Sequence, residues 1–265
     1  MILKLLSFGK VGHRQNSVYE SAKKNPFTKG FFCCIVRPLM NRTKLIFALI
    51  FTAGGFIFLQ VPINKLAGSS VSFTLFDLFA PVAGAFFGGP IGVASVFLMS
   101  LANLVFKLGQ GVTLSTGLVI RLFPTLFAVY YFSRKDRSSV VVPILAMLIF
   151  WAHPIGRQVW FYALFWLIPV AAYFRRDNLF VRSLGSTFSA HAVGGALWIW
   201  SFNLPASVWV GLIPVVAAER LLFASGISLS YVLMTNLLNI LENKNILPGN
   251  IFSLEKKYLF ANLNK

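Results

Sequence analysis

Apolar stretches separated by short polar interruptions fill the chain from Lys44 to about residue 240. We predict a helical segment in each of eight stretches: 44–61, 74–88, 90–107, 116–132, 140–153, 158–174, 184–202 and 207–240. Several are shorter than the ~20 residues that a helix perpendicular to the membrane needs. The last stretch is longer and contains Pro214 and Gly226, which predict a kinked helix; the alternative is a shorter helix followed by a surface helix over 227–241. The pattern predicts an all-α, polytopic helical membrane bundle with six to eight transmembrane helices.

Polar ends flank this region and divide the chain into three parts. We predict a basic cytoplasmic N-terminal segment over 1–43, a transmembrane helical domain over 44–241 and a cytoplasmic tail over 242–265. The segment over 1–43 lacks the apolar core that follows the short basic start of a cleaved signal peptide, so we predict no such signal. An organellar transit peptide is the alternative interpretation of this basic segment. We expect the adjacent Cys33 and Cys34 to be ordinary thiols, with acylation at the membrane surface as the alternative.

Composition supports a membrane protein. Apolar residues make up 57% of the chain and charged residues 12%, and the mean hydropathy is +0.75. A soluble domain carries about 25% charged residues. A water-soluble enzyme is therefore excluded.

The net charge of +17 follows the predicted topology. With both termini inside, the inner loops collect 19 of the 24 Lys and Arg residues, and the outer loops hold only Lys65, Lys107 and Arg157. This asymmetry is the positive-inside pattern of membrane proteins. It orients both termini to the cytoplasm and removes the need for a nucleic-acid partner.

Five of the six tryptophans lie towards the predicted outer face: Trp151, Trp160, Trp198, Trp200 and Trp209. One interpretation is an aromatic belt at the level of the lipid headgroups. The other is a set of flat walls around a planar ligand.

Few ionisable residues fall within the predicted helices, where they are costly and often mark a site. Asp77, Asn103 and Arg121 come from three helices at a similar depth near the outer ends, and we expect Asp77 to pair with Arg121, as a structural pair or as part of a site. His191 and Glu219 lie near mid-depth. Arg220, next to Glu219, is expected to point about 100° away from it. The candidate substrate-binding residues are Asp77, Asn103, Arg121, His191, Trp198 and Glu219. A packing role for His191 remains the alternative.

Small residues recur every four positions in two helices, and this spacing lets helices approach closely in lipid. We predict that they serve helix packing within the chain, or contact with a second subunit. The residues are Ala80, Gly84 and Gly88 in one helix and Ala190 and Gly194 in the other.

Motifs for other chemistry are absent from the sequence. It has no Walker-type phosphate loop, so this chain does not itself hydrolyse nucleotide. It has no HExxH motif and only three scattered histidines, so we predict no metal site and no cofactor. No G-x-S-x-G motif frames a serine nucleophile. We predict that the chain is not an enzyme.

The segment FTLFDLFAPVAGAFFGGPIGVASVFLMSLANLVF (Phe73–Phe106) resembles the second and third helices of the substrate-binding S components of energy-coupling-factor (ECF) transporters. Segments Arg121–Phe132 and His191–Leu222 are similar in character. The resemblance implies a subunit in the plasma membrane of a prokaryote, surrounded by membrane lipid, that captures a small vitamin-like solute from outside. It also implies a transmembrane coupling protein and ATPase subunits as partners, and a lid over Pro62–Ser72.

Two other function classes remain open. One is a membrane scaffold or assembly protein without a small ligand. The other is a membrane-embedded enzyme acting on lipid, with His191 and Glu219 as acid and base.

Overall fold

The computed structural model describes residues 42–65, 72–133, 136–247, 252 and 254–260, without the side chains of 42–46 and 49. The chain divides into two compact units, Met1–Leu45 and Ile46–Lys265. The predictions for the N-terminal segment and for Cys33 and Cys34 lie outside the described residues. Apart from residues 42–45, the described residues belong to the second unit.

The described part of the chain is mostly helical, and its α-helices are bounded as follows: α1 Arg42–Leu59, α2 Phe76–Phe79, α3 Ala83–Phe87, α4 Gly89–Gly109, α5 Thr116–Ile120, α6 Pro124–Ser133, α7 Ser138–Ala152, α8 Pro154–Gln158, α9 Leu167–Tyr173, α10 Leu179–Ser201 and α11 Ala206–Asn243. Three 3-10 segments complete the helical part: Ala80–Val82, Trp160–Trp166 and Lys256–Tyr258. Two short strands, β1 Pro62–Lys65 and β2 Ser72–Thr74, pair antiparallel with an irregularity between Pro62 and Asn64. The β1–β2 pair was not anticipated from the apolar pattern.

Three helical segments of the described chain are long and apolar enough to cross a membrane: Gly89–Gly109, Thr116–Ser133 and Ala206–Asn243. Four more apolar segments are shorter, at 10–17 residues: Ile50–Leu59, Phe76–Phe87, Ser138–Ala152 and Trp160–Tyr173. The prediction of a predominantly helical fold is confirmed. The number of six to eight spans stays a prediction.

Helix α10 is the centre of the bundle and packs against α6, α7, α9 and α11. Small residues make these contacts close: a methyl group at Gly185 would overlap the ring of Tyr131, and one at Gly195 would lie 2.7 Å from the ring of Trp166. The Ser186 hydroxyl donates a 2.8 Å hydrogen bond to the backbone oxygen of Ala128 in α6. The small side chains of α10 therefore set how near its neighbours can come.

The small residues predicted to serve helix packing occupy different environments. Ala80 is fully buried, and a methyl group at Gly84 would lie 2.6 Å from the backbone oxygen of Val129, so Gly84 allows a close approach to α6. Gly88 is exposed, has φ of +81° and no atom near its missing side chain. Its part in the packing stripe is corrected: it makes the turn into α4 with a backbone conformation that favours glycine. Ala190 and Gly194 of α10 line the main cavity of the protein.

Helix α11 is one continuous helix of 38 residues with Pro214 inside it. This excludes the alternative of a shorter helix followed by a separate surface helix. A side chain at Gly226 would overlap Leu78, so this glycine allows α2 to approach α11 closely.

A cluster of buried aromatic rings lies where α7, the Trp160–Trp166 segment and α11 meet. Phe150 contacts Trp166 and Trp209 edge to face at centroid distances of 5.1 and 5.2 Å, and Tyr162 contacts Trp209 in the same way at 5.1 Å. Such arrangements are the favoured geometry of aromatic pairs. Tyr162 and Trp209 of this cluster line the main cavity of the protein, and we call the cluster its aromatic floor.

The C-terminal segment 254–260 is tied to α10 and α11 by polar contacts. Glu255 pairs with Arg182 at 3.0 Å and accepts a 3.1 Å hydrogen bond from the Tyr231 hydroxyl. Burial raises the pKa of Glu255, but the charge of Arg182 and these hydrogen bonds outweigh it, so the pKa is lowered overall. The amide of Asn236 donates to the backbone oxygen of Tyr258 at 2.9 Å. These bonds provide polar partners for Arg182 and Asn236, and both residues can therefore be buried.

Candidate functional site

A cavity of about 250 Å³ lies between the β1–β2 pair, α2, the turn that joins α5 to α6, α10 and α11. Polar and charged side chains from all of these elements reach its wall, including Asn64, Lys65, Asp77, Arg121, His191, Glu219 and Arg220. Aromatic and small residues form the rest, including Phe73, Trp198, Trp209, Ala190 and Gly194. Polar side chains that are far apart in the sequence therefore meet around one cavity.

Five of the six predicted site residues line this cavity, namely Asp77, Arg121, His191, Trp198 and Glu219. Asn103 does not. It lines a smaller neighbouring cavity of about 50 Å³ and accepts a 2.9 Å hydrogen bond from the side-chain amide of Gln60. Its assignment to the main site is corrected, because its side chain is bonded to Gln60, directly after the end of α1. Arg121 borders both cavities.

The expected ion pair between Asp77 and Arg121 is present. The Asp77 carboxylate also accepts the backbone N–H of Thr74 at 2.8 Å and the hydroxyl of Thr125 at 3.3 Å. Arg121 lies 4.8 Å above the ring of Phe73. Only 9% of the Asp77 side chain and 17% of that of Arg121 are exposed, so the pair is largely shielded.

Glu219 and Arg220 form a second pair, with 3.3 Å between Oε2 and Nη2. The expectation that these neighbours point apart is corrected: the long arginine side chain bends back although the two Cβ atoms diverge. Arg220 is 3% exposed, donates to the Thr187 hydroxyl at 3.3 Å, and lies over the rings of Phe73 and Phe223 at 4.8 and 4.4 Å.

The β1–β2 pair is attached to the cavity at two points. Asn64 of β1 donates a hydrogen bond to Oε1 of Glu219 in α11. Phe73 of β2 contacts both guanidinium groups, Arg121 and Arg220. Residues 66–71 of the predicted lid Pro62–Ser72 lie outside the described residues. Of its described ends, Asn64 and Lys65 line the main cavity, and Ser72 lines the smaller neighbouring one.

His191 forms a 3.2 Å hydrogen bond between its Nε2 and the Tyr162 hydroxyl, and its ring packs against Trp166 and Phe188. It is thus a hydrogen-bonded residue of the aromatic floor and at the same time part of the cavity wall. Glu219 is bonded to Asn64 and Arg220 instead. His191 and Glu219 both line the cavity, and no hydrogen bond joins them in the described structure.

The tryptophans divide between the two interpretations. Trp198 and Trp209 line the cavity and are 8% and 2% exposed. Trp160 and Trp200 are 54% and 56% exposed. The indole of Trp200 donates to the backbone oxygen of Ile149 at 3.0 Å. The first two act as cavity walls, whereas the other two have the exposure of belt residues.

Several cavity residues were missed by sequence reasoning. Asn64, Lys65 and Phe73 lie in the predicted outer loop between two apolar stretches, and Tyr162 looks like an ordinary member of the stretch 158–174. Arg220 was recognised as a buried charge but not assigned to the site. Only Lys65 carried a signal that could have found it, as one of three basic residues in the outer loops.

No protein-family model, no curated protein and no solved structure matches this chain. Among the described residues, no group of three or more His, Cys, Asp or Glu side chains could hold a metal ion. What the arrangement offers chemically is recognition: two shielded ion pairs and flat aromatic walls around one small space.

Proposed function

We propose that this chain is an integral membrane protein of six to eight spans that binds a small, flat, partly polar solute in the main cavity, as the substrate-binding subunit of an uptake system. The observation that carries the proposal is that two ion pairs, formed by residues of three sequence-distant segments, lie in the wall of one aromatic-walled cavity. Binding sites for small molecules usually combine apolar walls with a few placed polar groups.

The ion pairs support a binding role on energetic grounds. Replacing a buried ion pair by packed apolar residues is often neutral or stabilising, and ionisable groups within membrane spans are costly. A chain that needed only helix packing would have little reason to keep Asp77, Arg121, Glu219 and Arg220 together. Their convergence on a cavity supplies a reason.

The size of the cavity supports a small solute. Its volume of about 250 Å³ lies just below the roughly 300–1,000 Å³ of typical ligand pockets. A solute of one or two rings suits such a space.

The positive-inside charge pattern supports an orientation in which the β1–β2 pair faces outward, so that the solute is captured from outside. Because the sequence carries no phosphate loop, the energy for uptake would come from other chains. The resemblance to ECF transporter S components supports a transmembrane coupling protein and ATPase subunits as partners, in the plasma membrane of a prokaryote.

The test is recovery of the native solute. The protein is purified in mild detergent, denatured, and the released small molecules are identified by mass spectrometry. The matched variants are Gly194→Phe, which fills the cavity, and Gly211→Phe, at an exposed position of α11 with open space around it. We expect one molecule that co-purifies with wild type and Gly211→Phe but is lost in Gly194→Phe.

Tryptophan fluorescence gives a second readout once the molecule is identified. Adding it back should quench emission from the wild type and from Trp160→Phe, and the quenching should fall in Trp198→Phe and Trp209→Phe. Recovery of lipid alone from all forms, with a stoichiometric protein partner, would instead support a scaffold.

A further inference from the structure

The charges in the cavity wall do not balance. Three cations line it, Lys65, Arg121 and Arg220, against two anions, Asp77 and Glu219. Each arginine is paired with one carboxylate. Lys65, exposed in β1, has no ion-pair partner within the part of the chain that the structure describes. The wall therefore has a surplus of one positive charge.

The cavity wall also has more unused hydrogen-bond donors than unused acceptors. Both oxygens of Asp77 and both oxygens of Glu219 already accept hydrogen bonds from protein groups. The cations keep spare donors, because a guanidinium carries five N–H groups and an ammonium three. Nε of Arg220 and Nε1 of Trp209 are buried with no hydrogen-bond partner among the described residues. A ligand that complements this wall must bring acceptors.

The surplus positive charge and the flat aromatic side chains lie in different parts of the cavity wall. Lys65 directly follows Asn64, whose side chain is bonded to Glu219, so the surplus charge lies where the β1–β2 pair meets the cavity. Trp198 and Trp209 belong to α10 and α11 and are nearly fully buried. The wall therefore favours an amphiphilic solute that places its charged group at the strand pair and its ring against the indoles of Trp198 and Trp209.

On these grounds we propose that the ligand of the cavity is a flat monoanion, such as an aromatic carboxylate, whose anionic group binds between Lys65 and Arg121 while its ring packs against Trp198 and Trp209. This inference deepens the proposed function and rests on it. Charge-assisted hydrogen bonds from Lys and Arg to a carboxylate are about twice as strong as neutral ones, and such bonds would select an anion over its neutral isostere.

The experiment compares three probes with one ring system and different charge: 2-naphthoate, 2-naphthamide and 2-naphthylmethylammonium. Their Kd values for the purified wild-type protein are measured by tryptophan quenching at low salt. We expect 2-naphthoate to bind about tenfold more tightly than the amide, with the ammonium weakest. Added salt should reduce the advantage of the anion.

Variants at Lys65 test the assignment of the charge. Lys65→Glu turns the surplus of the wall from one positive to one negative charge, so the order of naphthoate and naphthylmethylammonium should reverse. Lys244→Glu makes the same change at the exposed end of α11 and should leave the order unchanged. Affinity for the neutral amide serves as the internal measure of an intact cavity in both variants.

The outcomes are distinct from those for the proposed function. If the amide or the ammonium binds the wild type as tightly as naphthoate, or if Lys65→Glu preserves the preference for the anion, the inference is wrong while solute binding stands. If no probe binds, the inference is also wrong. The proposed function is then decided by the native solute, whose recovery does not depend on these probes.

Discussion

Loss of the Asp77–Arg121 pair should have unequal effects depending on which partner is removed. Asp77→Asn leaves Arg121, 17% exposed, without its counter-ion. Arginine cannot shed its proton in a protein, so the cost is expected near 3 kcal/mol, the lower end of the range for breaking a buried ion pair.

Arg121→Gln should cost less, about 1–2 kcal/mol. The Asp77 carboxylate that remains still accepts the backbone N–H of Thr74 and the hydroxyl of Thr125. In the double variant neither charge is left behind, so its cost should be less than the sum of the two single costs by about 1–3 kcal/mol.

The assay is a double-mutant cycle on the free energy of unfolding, measured by titration with a denaturing detergent in mixed micelles. Arg157→Gln, which removes an exposed arginine of α8, is the control and should change stability little. Additive costs would show that the two charges do not interact. A larger cost for Arg121→Gln than for Asp77→Asn would refute the argument that the remaining hydrogen bonds to Asp77 reduce the cost of losing Arg121.

Three further predictions concern the strand pair, the C-terminal segment and α10. Asn64→Ala removes the hydrogen bond between β1 and α11 and should increase amide hydrogen exchange in β1 and β2 without lowering the melting temperature of the bundle. Glu255→Gln should increase proteolysis near residue 255 at neutral pH. Pairing with Arg182 lowers the pKa of Glu255 in the folded protein, so the pair stabilises the segment at pH values above the unfolded pKa. The proteolysis rates of wild type and variant should therefore become equal when the pH falls below the folded pKa. Gly195→Ala should destabilise by about 1–3 kcal/mol through overlap with an indole ring, whereas Gly194→Ala, with only ordinary contacts at 3.5 Å or more, should gain up to about 1 kcal/mol of helix propensity.

Much of the helical fold could be predicted because apolar stretches and polar interruptions follow directly from the need to keep polar groups out of lipid. The Asp77–Arg121 pair could be predicted for the same reason, since two opposite charges at a similar depth have few other partners. The depth argument failed for Asn103, because depth does not specify the face of a helix. Asn103 is turned towards Gln60 instead of the main cavity.

Other features depend on tertiary contacts that no local pattern records. The close approaches at Gly185 and Gly195 fall beside the four-residue stripe and not on it, because the bulky rings of Tyr131 and Trp166 decide where a glycine is needed. The pairing of β1 with β2 is too short to leave a period in the sequence. Lys65 gains its importance only from the cavity that it lines.

The β1–β2 pair connects the two ion pairs, because Phe73 lies under Arg121 and Arg220 while Asn64 is bonded to Glu219. Moving these strands away would remove two cation–π contacts, each of about 0.5–2 kcal/mol. It would also remove two hydrogen bonds to carboxylates, from Asn64 to Glu219 and from the Thr74 N–H to Asp77, each of about 1.5–3 kcal/mol. These contacts favour the arrangement in which the strands cover the cavity. A ligand that bridges Lys65 and Arg121 would add a contact made only when the strands are in place. Ligand binding and closure would then favour each other, and both would act through the residues that hold the charges of the cavity.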